Sequence, residues 1–89
     1  MGLYRIDRNL DGFDPVDLEA AAFRALTCAA RHPGIRWIRS MVDADSQRGT
    51  CVYEAPSVDV LEQHQREADL VWDKITEIVE VLPEQFVSV

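Results

Sequence analysis

The stretch CVYEAPSVDVLEQH, Cys51 to His64, decides the fold. Its first part belongs to a strand over Thr50 to Ala55, rich in side chains that suit a pleated surface. Pro56-Ser57 breaks that strand and opens a helix. In the helix Val58, Leu61, Gln65 and Ala68 face one way, and Asp59, Glu62, Gln63, Arg66 and Glu67 face the other. His64 lies on the side of Leu61 and Ala68, so its ring points toward a sheet. The segment thus carries a thiol at one end, an imidazole at the other, and a strand-turn-helix between them.

Working outward, Leu3 to Asn9 has the length of a short strand, followed by the turn-rich run Asp11 to Pro15. Asp14 before Pro15 marks a helix start: an acceptor at the N-cap and a ring with fixed φ at the first helical position. That helix runs to about Arg31, with Leu18, Ala21, Ala22, Ala25, Leu26 and Ala29 as one apolar stripe, Cys28 at its edge and Phe23 on the other side. His32-Pro33-Gly34 ends it. Ile35 to Val42 reads as a second strand, joined to the third by the polar loop DADSQRG as a hairpin. Ile75 to Leu82 is the last strand, stopped by Pro83.

The order is βαββαβ, an α+β ferredoxin-like pattern with a four-stranded antiparallel sheet and both helices on one face. Residues 1–89 are read as a single domain, since 89 residues are too few for two cores. In the second strand Ile35, Trp37 and Met41 alternate with Ile38 and Val42; in the last, Ile75, Val79 and Val81 oppose Ile78 and Leu82. Apolar residues on both sheet faces, with helices able to cover only one, predict a homodimer that packs the open faces together.

Nine basic against sixteen acidic residues give a net charge of −7, which argues against nucleic acid or anionic membrane as a partner. No apolar run is long enough to span a bilayer and MGLYRIDRN has no signal-peptide core, so a cytoplasmic location is expected. Two cysteines without a CxxC encode neither a disulfide framework nor a zinc knuckle.

The first strand with Tyr4, the W-x-x-S of Trp37 to Ser40, the C-x-Y-E-A-P of Cys51 to Pro56, and His64 eight residues after that proline resemble a small domain family of unknown function. Some of its members are described as nickel-binding or nickel-responsive, and the resemblance implies a ferredoxin-like dimer, or dimeric α+β barrel. It extends from about Leu3 to Val81. The family's H-x-x-x-x-G becomes His64 to Asp69 here, with aspartate in place of glycine. Nickel-binding relatives, as the resemblance implies, draw on several histidines; this chain has His32 and His64.

His64 is therefore either a hydrogen-bonded core residue, a metal ligand, or an acid/base group. Cys51 and Tyr53 alternate to one face of their strand, Val52 and Glu54 to the other. If the first pair faces the helices, His64 converges with a thiolate and a phenol. Such a site suits Zn, Cu or Ni, completed by a carboxylate such as Asp7 or by water. The competing reading makes Cys51 a small buried hydrophobe and Tyr53 a core aromatic. A Cys–His nucleophile would need an orienting group and an oxyanion hole, neither of which the sequence offers. His32 belongs to a helix end, Glu77 and Glu80 fall on opposite faces of the last strand, and Asp43 to Asp45 is a solvated loop without the glycine of a calcium loop.

Three functions fit these residues. One is a non-catalytic metal-binding domain with His64, Cys51, Tyr53 and Asp7 as ligands and Ni or Zn as the ion. Another is a dimer enclosing a small-molecule or cofactor-free enzyme pocket. The third is a purely structural or interaction domain, with Phe23 and the acidic surface as contacts.

Overall fold

The computed structural model describes residues 1–87. It contains β1 (Gly2–Asn9), α1 (Pro15–Ala29), β2 (Arg36–Val42), β3 (Arg48–Ala55), α2 (Val58–Glu67) and β4 (Lys74–Ile78), followed by a short 3-10 turn at Pro83–Gln85. The strands form one antiparallel sheet in the order β2-β3-β1-β4. Both helices lie on one face of it, which is the ferredoxin-like arrangement the sequence predicts. The core between them is built from Tyr4, Ile6, Ile35, Tyr53, Ala55 and Leu61.

Local chemistry accounts for the boundaries. Asp14 accepts a hydrogen bond from the Asp17 amide, and Asp17 accepts one from the Asp14 amide, a reciprocal cap that satisfies two free N–H groups at the start of α1. Ser57 caps α2 by accepting from the Val60 amide. Gly34 turns the chain at φ +92°, and a side chain there would meet the Pro56 ring at 2.8 Å, so the position needs glycine twice over. At the end of α2 the Leu70 amide reaches back to the Gln65 carbonyl and the Asp69 amide to that of Arg66. This is a Schellman closure with Asp69 at φ +54°. The aspartate that replaces the family's glycine thus adopts the left-handed conformation, which short polar side chains tolerate better than most.

Three readings of the faces change. β2 carries a bulge between Trp37 and Arg39, and the extra residue reverses the alternation beyond it. Ser40 and Val42 then lie opposite Cys51 and Gly49, while Met41 lies opposite Thr50, so Met41 does not share the face of Trp37. β4 stops at Ile78, which sits opposite Leu3, one residue from the start of β1. Without a neighbouring strand to bond, Val79, Val81 and Leu82 run on as exposed chain, and Glu80 pairs with Arg39 rather than occupying a strand position. Leu26 is 58% exposed and leaves the stripe of α1. Arg24 takes a partly buried place on that helix, donating to the Ala68 and Asp69 carbonyls at the end of α2. Phe23 is exposed, as expected.

The open face of the sheet mixes Leu3, Val52 and Ile78 with charged neighbours, including the pairs Arg5–Asp7 and Arg36–Glu54. Among the described residues no helix is long and apolar enough to cross a membrane.

Candidate functional site

On β1 a period of two sends Tyr4, Ile6 and Arg8 to the helix side and Arg5 and Asp7 to the open side. On β3 the same alternation sends Cys51 and Tyr53 to the helix side, opposite Ile6 and Tyr4. Of the four residues considered together from the sequence, Cys51, Tyr53 and His64 therefore share one side of the sheet. Asp7 lies on the other, partly exposed beside Arg5.

His64 is fully buried between α1, α2 and the sheet. Its Nε2 lies 2.9 Å from the Ala25 carbonyl oxygen, and its Nδ1 lies 2.8 Å from the Gln65 amide nitrogen. A carbonyl can only accept, so Nε2 carries the proton and Nδ1 accepts from Gln65. The rings of Tyr53 and His32 pack against it with centroids 5.7 and 6.0 Å away. Burial holds its pKa below the ordinary histidine value; the Ala25 hydrogen bond opposes that, and the nearby His32 and Arg8 reinforce it. The imidazole is a neutral clamp between the two helices, with both nitrogens engaged. His32 bonds Glu67 through Nε2 at 2.6 Å, and that contact lowers the Glu67 carboxyl pKa.

Tyr53 is 1% exposed, and burial raises its phenol pKa against the opposing influence of Arg8. Cys51 Sγ receives hydrogen bonds from Ser40 Oγ at 2.8 Å and Arg8 Nε at 3.2 Å, and Trp37 Nε1 donates to Ser40 Oγ at 2.8 Å. The thiol belongs to a Trp37–Ser40–Cys51–Arg8 chain. These donors do not fit a resident transition metal. The imidazole has no free lone pair, and the carboxylate is across the sheet. Among the described residues no group of three or more His, Cys, Asp or Glu side chains could hold an ion.

The same residues border a different feature. Between α1 and the sheet lies a cavity of about 200 Å³. Its roof is Leu18, Ala21, Ala22 and Ala25 of α1, and its floor is Trp37, Ser40, Cys51, Tyr53, Gly49 and Arg8. Leu10, Phe13, Met41, Val42, Leu70 and Val71 complete the wall. The space follows from residue size: the alanine stripe above leaves volume that leucines would fill, whereas the room beside Gly49 is taken by Leu10.

Arg8 is the residue of the candidate site not singled out from the sequence. It is only 6% exposed, bonded to Cys51 and, through Nη1 at 2.8 Å, to the Val71 carbonyl. The signal was present as the third inward position of a strand reading Tyr4, Ile6, Arg8.

Comparison with known proteins agrees with this architecture. The protein family described as "Nickel responsive protein SCO4226-like" matches residues 4–78. The crystal structure of SCO4226 from Streptomyces coelicolor A3(2) superposes with a TM-score of 0.78 at 18% identity, covering 90% of this chain and 99% of that one. No curated protein matches the chain.

Proposed function

The chain belongs to the SCO4226-like nickel responsive protein family, and within it we propose a non-catalytic small-molecule-binding domain whose site is the cavity under α1. One observation carries this reading: an apolar space of about 200 Å³, open to solvent and floored by a hydrogen-bonded polar chain. Pre-formed apolar concavities with a few convergent polar groups are the usual form of a ligand site. A void of this order, lined by small aliphatic and aromatic groups, takes up apolar molecules. The homodimer through the open sheet face is part of the same proposal, supported by Leu3, Val52 and Ile78 on that face. Light scattering that finds only monomer at micromolar concentration would remove it.

The site is tested with the uncharged dye N-phenyl-1-naphthylamine. Its fluorescence should rise saturably with the wild type and fail to rise with Ala22→Phe, which fills the roof. No saturable rise with wild type would end the reading. The metal alternative, supported by the family description, makes a separate forecast. Titration calorimetry with Ni²⁺ and Zn²⁺ would then give heat with wild type that disappears in His64→Ala.

A further inference from the structure

Arg8 carries a permanent positive charge, since a guanidinium does not lose its proton in proteins. It is 6% exposed and lines the cavity floor. A charge taken out of water is ordinarily matched by a carboxylate, because unpaired burial is costly. The chain has sixteen acidic residues to supply one. Arg5, Arg36, Arg39, Arg48 and Arg66 each stand within ion-pair distance of a carboxylate. Among the described residues none stands so near Arg8. Its partners are the Cys51 thiol, the Val71 backbone carbonyl and the Tyr53 hydroxyl, all uncharged, and a guanidinium offers five N–H groups.

Those five exposed arginines are paired where water would have served them anyway. The buried one lacks a counter-ion among the described residues, and it lines an otherwise apolar cavity. From this we infer that the ligand of the cavity is an amphipathic carboxylate, its anionic head on Arg8 and its apolar body under Ala21, Ala22 and Ala25. This rests on the cavity being the binding site, and it adds the chemical class of the occupant. The guanidinium fork matches a carboxylate in two parallel hydrogen bonds, the geometry in which such contacts are strongest. Ser40 and Trp37 beside it supply the polar rim in which the head group would end.

Three probes of equal chain length separate the two ideas on the wild-type protein: octanoate, 1-octanol and octylamine, measured by calorimetry near neutral pH. The expected order is octanoate, then octanol, then octylammonium. Octanoate should bind roughly tenfold or more tightly than octanol, as a charge-assisted hydrogen bond implies. In Arg8→Gln the octanoate preference should vanish while octanol binding stays. If the variant does not fold, the wild-type order alone decides. Octanol binding as tightly as octanoate would overturn the anionic head while leaving the apolar site standing. No binding by any of the three would overturn both.

Discussion

Two helices cover one sheet face, and they cover it differently. Under α2 the space is full: Leu61, His64 and Gln65 are all fully buried, and the imidazole is bonded on both sides. Under α1 the facing residues are mostly alanines, and about 200 Å³ stays open. The contrast lies in side-chain volume, since both helices are capped and lie on the same face of the sheet. One half of the sheet is a stabilising core. The other leaves a space unpacked, and it is this space that is proposed to bind a ligand.

The comparison breaks most severely at His64. His64→Ala should cost about 3 kcal/mol, by leaving a cavity and freeing the Gln65 amide of its partner, read as a lower urea midpoint with unchanged slope. The same residue sets an acid sensitivity. Its folded pKa lies below the unfolded value, so its contribution to stability is complete above pH 6.5 and is lost as pH falls through the folded pKa. Melting temperature should therefore decline on acidification from that pH, and the slope should flatten in His64→Gln. A constant melting temperature across this range would mean that the ring is not held neutral.

On the other half the sign reverses. Ala22→Leu should stabilise by about 1 kcal/mol by filling space, and should abolish dye binding. Destabilisation by that substitution would show that the cavity is already closed. The smallest effect is at the helix end the two halves share. Asp69→Gly should add about 0.5 kcal/mol, because glycine adopts the left-handed φ without strain, and should leave binding untouched.

Much of this architecture was legible in the sequence, for physical reasons. Asp14-Pro15 and Pro56-Ser57 punctuate the helices, and the polar loop between two apolar runs makes the hairpin. The period of α2 turns His64 inward, and the structure agrees. The bulge in β2 was not legible, because one extra residue between Trp37 and Arg39 has no composition of its own. Neither was the early end of β4. Val79 to Leu82 is as apolar as a strand, but pairing depends on where β1 begins. Asp7 was grouped with Cys51 on chemistry alone, and the pairing register sets them on opposite faces. Arg8 escaped notice because a charged residue is taken as exposed until its neighbours are known; its strand parity alone pointed inward.

The central claim is that the space under α1 binds an apolar ligand with an anionic head. The most direct measurement is a titration of the ¹⁵N-labelled protein with octanoate, followed by amide chemical shifts. The expected result is saturable movement confined to the cavity wall, centred on Arg8, Ala22, Trp37 and Cys51, with the amides of Leu61 and Gln65 nearly still. Shifts concentrated on the open face around Leu3, Val52 and Ile78, or no saturable shifts at all, would contradict it.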